Sequence, residues 1–591
     1  MSDQELTKVL YEMAALLEIK EVAFKPQAYE RAAYSIEALG EDVDEIYKKG
    51  GLKALEEIPG VGQGIAERIE EYIKTGRIAD YDKLKKQFPV DIAGLMSIEG
   101  VGPKMVKKLY QKLGIKNARE LEAAAKAGKL SGLEGLGEKS EQKILKSIGF
   151  LRQSQGRFIL GFIFPTVRKI VDSLRALPEV KRAEFAGSIR RMQETVGDLD
   201  ILVISNRPSK VMDFFVKMPE VQDIIEKGPT KTSVRLKIGM DADVRVLPPE
   251  SFGAALQYFT GDKYHNIALR EIAIKKGYKL NEYGLFSAKG GSASGGKGSK
   301  LKMVAGKTEE EIYKKLGMEL MEPELRTNHG EIEAARHDFA SQNQSGQALP
   351  NLIGYDELKG DLQVQTDWTD GENSIKEMAE AAKKQGLEYI VITDHTKSLA
   401  MTGGLDEKKL QKQMAEIDNV QKQVSGIKIL KGSEVNINKD GTLDIDDETL
   451  AKLDVVGAAV HSNFNMPEAD MTVRIIRAME NPNVDVLFHP TGRIIKRREP
   501  YKVDMDKVIK TAKKTGTVLE IDAYPDRLDL KDEHIRKAVD EGVKLSIDSD
   551  AHSASHFKFL EFGIAQARRG WAEKKDVINT RPWEEMLKLL K

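Results

Sequence analysis

The sequence predicts a multidomain chain with three architectures in succession: an α-helical N-terminal part, a central α+β part, and a C-terminal α/β part built as a distorted β/α barrel. Three observations carry this reading. An apolar-x-Gly-apolar-Gly pattern recurs three times within the first 150 residues, two acidic strand patterns with strict alternation occupy the middle, and from about residue 355 short apolar runs alternate with helical segments. The length of 591 residues suits about three to five domains, and 41% hydrophobic residues are ample for their cores. The boundaries read as helical domains over 1–90 and 91–150, an α+β domain over 151–250 with a C-terminal subdomain over 251–336, a linker over 337–354, and the barrel over 355–591.

In the helical part the three copies are Ile58-Pro59-Gly60-Val61-Gly62, Ile98-Glu99-Gly100-Val101-Gly102 and Leu133-Glu134-Gly135-Leu136-Gly137. Each glycine pair permits a tight turn whose N–H groups open a helix, a geometry that holds a phosphate oxygen without reading a base. One such turn is equally a plain helix cap. Three copies, followed by Lys104, Lys107 and Lys108 or by Lys139 and Lys143, read as helix-hairpin-helix motifs that bind the DNA backbone.

In the central part, Gly187-Ser188-Ile189-Arg190-Arg191 precedes Gly197-Asp198-Leu199-Asp200-Ile201-Leu202-Val203-Ile204. The second run reads as a strand, with Asp198 and Asp200 on one face roughly 7 Å apart. Asp241-Ala242-Asp243-Val244-Arg245-Val246 has the same alternation and supplies a neighbouring strand, with Asp243 as the third carboxylate. Three converging carboxylates repel, whereas two Mg²⁺ ions about 3.5–4 Å apart would use all of them, as phosphoryl transfer requires. Isolated aspartates of this kind can also merely decorate strand ends; the phosphate-gripping turn upstream argues for the site.

After the Gly/Ser-rich stretch 289–300, read as a flexible loop insert, and the polar run His337 to Pro350, read as a linker, the barrel strands are expected at Tyr389–Thr393, Ile427–Leu430, Val455–Gly457, Val484–Leu487, Val518–Ile521 and Val543–Ile547. Metal-capable residues follow these strands: Asp394-His395, Glu434, His461, His489 and Asp550-Ala551-His552. A β/α barrel carries its site at these strand ends. A lone histidine there is usually structural, but the repeated placement reads as a metal cluster.

The chain resembles the family X DNA polymerases, in the bacterial and archaeal form that carries a C-terminal polymerase and histidinol phosphatase (PHP) domain. The resemblance rests on Gly187–Arg191, Gly197–Asp200, Asp243–Val246, Tyr258-Phe259-Thr260-Gly261 with Asn266 and Arg270, and Asn281–Phe286, and it covers nearly the whole chain. It implies a nucleotidyltransferase palm in which Asp198, Asp200 and Asp243 hold two Mg²⁺ or Mn²⁺ ions while a primer 3′-hydroxyl attacks a nucleotide α-phosphate. Ser188, Arg191 and the backbones of Gly187 and Gly197 would hold the triphosphate. Tyr258, Phe259, Gly261 and Asn266 would flank sugar and base, and Lys263 reads either as a further nucleotide contact or as a solvated lysine. Gly60, Gly62, Gly100, Gly102, Gly135, Gly137 and Lys104 would meet DNA. In the PHP domain the resemblance implies two ligand sets, Glu434 with His461 and His489, and Asp370 with His395 and His552.

The sequence departs from the family twice. PHP domains carry His-x-His where this chain has Gln363 and Gln365, which with Glu434 and Asp550 would hold a third metal; an amide oxygen is a poorer ligand than imidazole for Zn²⁺ or Mn²⁺. Two bound ions rather than three, and a lost or strongly reduced 3′–5′ exonuclease, are therefore expected. Because the other seven ligand positions remain, the paired change reads as one recent event, deliberate inactivation being favoured, rather than as drift. In the segment Phe24 to Ile73, similar to the small domain that carries a Schiff-base lysine in some members, Arg68 stands at the lysine position and cannot form an imine. No deoxyribose-phosphate lyase is expected there.

The remaining observations bound the setting. No cysteine is present, so disulfides and thiolate-held zinc are excluded. With 92 basic and 93 acidic residues the net charge gives no support for nucleic acid, so DNA contact must come from local patches. The N-terminus lacks a basic-then-apolar leader and no apolar run approaches the ~20 residues of a membrane span, which reads as cytoplasmic; the sequence offers no basis for an oligomer, so a monomer is the default expectation. Three functions compete: a templated polymerase that fills gaps in DNA repair, using gapped or primer-template DNA and deoxynucleoside triphosphates; a 3′-end-processing nuclease active on two metals; and a non-catalytic DNA-end binder.

Overall fold

The computed structural model describes residues 3–591 except 21, 23–24, 38–42, 59–60, 97, 99–100, 131, 134–136, 138–140, 143, 146–147, 149–155, 288–301, 337–347, 400–401 and 497. The expected DNA contacts Gly60, Gly100, Gly135, Lys139 and Lys143, the whole Gly/Ser-rich insert and most of the linker lie outside the described residues.

The N-terminal part is helical throughout: Asp3–Ile19, Lys25–Glu37, Val43–Glu56, Gln63–Thr75 and Ala79–Gln87, then Ile92–Met96, Pro103–Leu113 and Ala118–Lys126. One continuous apolar core runs through both halves, from Leu6, Leu10 and Met13 to Leu109, Leu121 and Ile148. The hairpin turns contribute Ile58, Val61, Ile98 and Val101 to it. Burying those side chains leaves Gly62 and Gly102 exposed.

The central domain is built on a five-stranded sheet in the order Val180–Phe185, Asp198–Ser205, Asp241–Leu247, Lys231–Leu236, Val221–Lys227. The two acidic strands are parallel neighbours in the middle, and the other pairings are antiparallel. Helices Leu160–Arg175 and Pro208–Phe215 cover the apolar face through Val167, Ile170, Leu174, Val211 and Phe215, all fully buried. The following subdomain joins helices Phe252–Thr260, Lys263–Lys275 and Glu309–Lys315 to a three-stranded antiparallel sheet, Tyr278–Asn281, Gly284–Ser287 and Met303–Ala305.

From Gly360 the chain forms seven consecutive parallel strands: Gly360–Val364, Tyr389–Ile392, Lys428–Asn436, Val455–Ala459, Val486–Leu487, Val518–Asp522 and Leu545–Asp548. First and last meet at a seam, where Gln365 N donates to Ala551 O at 2.8 Å and Ala551 N to Gln363 O at 3.2 Å. Side-chain alternation sorts the strand residues. Ile390, Ile392, Ile429, Val456, Leu487 and Leu519 pack with the surrounding helices, whereas Tyr389, Val391, Leu430, Val455, Phe488 and Val518 form a separate cluster with Ile578 and Met586 near the C-terminus. That second cluster is tight enough that a Cβ on Gly457 would lie 1.9 Å from the Phe488 ring.

Barrel and central domain share an apolar interface. Leu528, Phe559 and Phe562 belong to the same core as Leu160 and Phe164, with Phe164 and Phe562 meeting edge-on at 5.7 Å. Gly161 is obligatory there, since a Cβ would stand 2.6 Å from Pro525.

Candidate active sites

The first site forms on the central sheet. The parallel register sets Asp200 opposite Asp243, with Asp198 two residues earlier on the same face. Asp241, opposite Asp198, is taken up by Arg235, which leaves Asp243 as the third member. Gly187 presses on this group: its φ is +63°, and a Cβ would stand 3.1 Å from Asp200 Oδ2. Burial first, then the charges of Asp198 and Asp243, push Asp200 up to about 7. Burial and Asp243 also raise Asp198. Lys231 Nζ at 3.2 Å and Arg245 Nη2 at 3.4 Å partly offset Asp243. Carboxylates that cannot all ionise unaided fit a hard divalent cation.

The turn read from the sequence as phosphate-gripping forms the single helical turn Gly187–Arg190, in which Ser188 is half-buried; Gly197, also half-buried, immediately precedes Asp198. Arg191 Nη1 donates to the Thr260 carbonyl. Across from it, a Cβ on Gly261, whose φ is +62°, would lie 3.5 Å from Arg191 Nη1, 3.6 Å from Asn266 Nδ2 and 3.4 Å from Lys263 N. Turn and subdomain thus converge on one spot. Tyr258 and Phe259 end the helix Phe252–Thr260 with their rings edge-on at 5.1 Å, and the Arg245 guanidinium lies 4.6 Å from the Phe259 ring. Asn266 is buried, and its amide accepts from Gln257 Nε2 at 2.7 Å and donates to Tyr258 O at 2.6 Å, so it shapes the wall. Lys263 opens the next helix instead of sitting in the turn, with Nζ 6.0 Å from the Tyr11 ring of the first N-terminal helix.

The sequence reading left Arg190 without a role. It bridges Glu309 at 2.6 and 2.9 Å and Thr260 Oγ1 at 2.7 Å, while the fully buried Arg326 holds Glu309 from the other side. Between two guanidiniums Glu309 sits at about 2 despite its burial, which opposes ionisation. This bridge fixes the turn to the subdomain.

The second site lies at the C-terminal strand ends of the barrel. Glu434 is its centre: His461 Nε2 at 2.9 Å and His489 Nε2 at 2.8 Å meet Oε1, and His395 Nδ1 lies 3.4 Å from Oε2. Asp370 lies 3.6 Å from His395 Nε2 and 3.7 Å from His552 Nε2. Asp370, His395 and His552 form one group able to hold a metal, and His395, Glu434 and His461 another. Burial opposes ionisation of Glu434, but His395 and His461 hold it well below the usual range. Burial lowers His395 and His489, favouring the neutral imidazole that ligates. The His461 ring is oriented by Asn436 Oδ1 at 2.7 Å. Buried Nδ1 of His395 and His489 and Oδ1 of Asp550 have no hydrogen-bond partner, so this donor set fits metal ions. Asp394, counted in the sequence among metal-capable residues, is instead consumed by Thr366, Thr369 and Gln413 and serves to orient its neighbours.

Gln363 and Gln365 stand on the first strand at the same site and are fully buried. Gln365 Nε2 donates to Glu434 Oε2 at 2.8 Å, so an N–H points where a ligand atom would be needed. Both amide atoms of Gln363 and Oε1 of Gln365 lack partners. Beside them Arg527 Nε lies 3.4 Å from Asp522 Oδ2 and 3.5 Å from Asp550 Oδ2. Asp361, Glu520, Asp522 and Asp548 are likewise fully buried on strands of the barrel, and no sequence pattern groups these four.

At the hairpins, Gly62 (φ −86°) and Gly102 (φ −91°) are N-caps of the helices Gln63–Thr75 and Pro103–Leu113. The expectation that the turn itself needs these glycines is corrected, because any residue adopts such φ values. A Cβ on Gly62, Gly102 or Gly137 would meet nothing within 4 Å. The missing side chains leave room outside the fold, as close approach of a ligand to the backbone requires. Lys104 lies in the first turn behind Gly102. Arg68 is bound to Asp80 at 2.6 Å and to Gly64 O, so its guanidinium is already engaged within the domain.

Known families match four segments: a helix-hairpin-helix domain over 1–78, a SAM-like helix-hairpin-helix tandem over 92–149, the DNA polymerase beta thumb over 255–327 and the PHP domain over 361–578. DNA-binding hairpins, a polymerase thumb and a PHP barrel on one chain define a modular polymerase. The protein "DNA polymerase/3'-5' exonuclease PolX" of Bacillus subtilis (strain 168) is 36% identical over 594 residues, covering 100% of both chains. The chain belongs to the family X DNA polymerases with a C-terminal PHP domain. The barrel alone is also similar to proteins named "Probable phosphatase": one from Thermoanaerobacter sp. (strain X514), 31% identical over 35% of this chain and 84% of that protein, and one from Caldanaerobacter subterraneus subsp. tengcongensis, 31% identical over 30% and 70%. Among the described residues no helix is long and apolar enough to cross a membrane.

Proposed function

We propose that this DNA-directed DNA polymerase fills short gaps by templated nucleotidyl transfer at Asp198, Asp200 and Asp243, and that its PHP nuclease is lost or strongly reduced at Gln363 and Gln365. The observation that carries the reading is the register: Asp200 faces Asp243 across a parallel pair, Asp198 shares their face, and Gly187 brings the phosphate-gripping turn against them. Divalent ions held by these carboxylates, Mg²⁺ or Mn²⁺, would supply neutralisation of the charge that develops on the transferred phosphoryl group. Arg191, held by the Thr260 carbonyl, presents its guanidinium toward the phosphates. Tyr258, Phe259 and Gly261 offer a wall free of a side chain at its tightest point, with Asn266 fixing Tyr258 from behind. The hairpin backbones at Gly62 and Gly102, with Lys104, take DNA phosphates irrespective of sequence.

In the barrel, Asp370, His395 and His552 with Glu434, His461 and His489 would hold two ions, Zn²⁺ or Mn²⁺, which would activate water for phosphoester hydrolysis. Those two intact groups favour a second reading, in which the barrel still trims 3′ ends. A time course with a 5′-labelled primer on a one-nucleotide-gapped duplex separates the two. Extension by one templated residue, without shortening when nucleotides are withheld, supports the first reading. Shortening would establish the trimming enzyme, and no extension would remove the polymerase assignment of the three aspartates.

A further inference from the structure

The segment between Arg191 and Asp198 joins the phosphate-binding turn to the acidic strand, and much of its support comes from the barrel. Met192 stands at φ +50°, in the left-handed region that a side chain of this kind enters only when its surroundings impose it. Arg569 of the barrel helix Leu560–Arg569 donates to the Met192 carbonyl through Nη1, and Nη2 of the same guanidinium donates to Gln566 Oε1. Gln566 Nε2 donates in turn to Glu194 Oε1 at 3.0 Å. Arg493, from the loop after the fifth barrel strand, grips both oxygens of Glu194 at 2.6 and 3.3 Å. Thr195 is held through Oγ1 by Arg157 at 2.8 Å, and the Arg157 carbonyl accepts from Lys496 of the same barrel loop. Three anchor points within four residues, at 192, 194 and 195, thus trace back to the barrel across 299 to 377 residues of sequence. The central domain itself adds Leu160 N to Glu194 O at 3.0 Å and the pairing of Ile159 with Thr195, which anchor the same segment from within.

We propose that the PHP barrel is a working part of the polymerase site, with Arg569, Gln566 and Arg493 as positioning residues that set Arg191 and Asp198 relative to one another. The proposal rests on the reading that places those two residues in nucleotidyl transfer. It gives the barrel a role in polymerisation that is independent of its own metal chemistry.

The test is single-nucleotide gap filling by the full chain, with KM for the nucleotide and kcat measured separately. Arg569→Met removes both donations and Glu194→Gln weakens the grip of Arg493 while keeping the shape; each is expected to raise KM by about tenfold, the loss of one charge-assisted hydrogen bond at a positioned group. Arg569→Lys, which can still reach one carbonyl, should recover part of that loss. Arg168→Met removes the 2.7 Å bridge to Glu561 on the same interface without touching the segment, and its KM should match the parent. Asp198→Asn serves as the check on the site itself. If Asp198→Asn remains active, the underlying assignment fails. If it is inactive while Arg569→Met and Glu194→Gln behave like Arg168→Met, the positioning role is refuted and the assignment stands. Should Arg569→Met fail to fold, Glu194→Gln alone decides.

Discussion

Replacing Gln363 by leucine tests the state of the altered barrel site from the side of stability. Gln363 is fully buried on the first strand, and neither Nε2 nor Oε1 has a partner. Leaving such a group unpaired costs about 1–3 kcal/mol, whereas an apolar side chain of similar volume carries no such cost. With no cation on the amide oxygen, Gln363→Leu should stabilise the barrel by about 1–3 kcal/mol, which for a domain of this size raises its midpoint by about 2–12 °C. The strand is undisturbed, since its bonds at this residue are made by the main chain. The assay is a thermal scan of the full chain, following the transition assigned to the barrel, with metal content measured on the same preparations. A falling midpoint accompanied by loss of one ion per chain would show that the amide ligates a metal, which refutes the reasoning. An unchanged midpoint would mean that the amide is already satisfied in solution, and refutes it equally.

Further outcomes are expected elsewhere. Because burial and the neighbouring aspartates raise Asp200 to about 7, its neutral form dominates below that pH in the metal-free protein, whereas the unfolded chain ionises near 4. Metal-free stability should therefore fall as pH rises from about 4 to about 7, and Mg²⁺ or Mn²⁺ binding should weaken below pH 7 and release a proton, measurable by titration calorimetry in two buffers. Glu309→Gln leaves the fully buried Arg326 without its carboxylate and should cost about 3–5 kcal/mol in denaturant unfolding, with the phosphate-gripping turn loosened as well. Gly102→Val should cost no more than about 1 kcal/mol, the penalty of valine at an N-cap, since φ is ordinary and the space is open, yet weaken DNA binding severalfold in fluorescence anisotropy. Borohydride treatment on an incised abasic duplex should trap no adduct at Arg68, because its guanidinium stays protonated and is tied to Asp80; a covalent product mapped to this helix would contradict that.

What the sequence made legible followed from period and placement. Alternation put Asp198, Asp200 and Asp243 on strands, and the recurrence of His395, Glu434, His461, His489 and His552 after apolar runs pointed to the cluster that gathers at one end of the barrel. Features without a local period were invisible. Glu309 reads as one of three consecutive glutamates opening a helix, and nothing in Thr308–Glu311 announces that Arg190 and Arg326 enclose it. Asp361, Glu520, Asp522 and Asp548 become buried only when the ring of strands closes. The brace on residues 192–195 depends on pairings hundreds of residues apart, and Arg493, Gln566 and Arg569 each look in sequence like ordinary surface residues. At Gly62 and Gly102 the ordinary φ values show that open space outside the backbone, not conformational freedom, is what glycine provides.

The seam of the barrel bears on how such a domain can change. Ring closure runs through Gln363 O and Gln365 N, the main-chain atoms of the two residues whose side chains differ from the family pattern. Architecture and ligand chemistry are thus written on the same residues in separate atoms. Exchanging one side chain for another at these two positions leaves the ring-closing main-chain bonds in place, so closure of the barrel does not depend on whether they carry an imidazole or an amide.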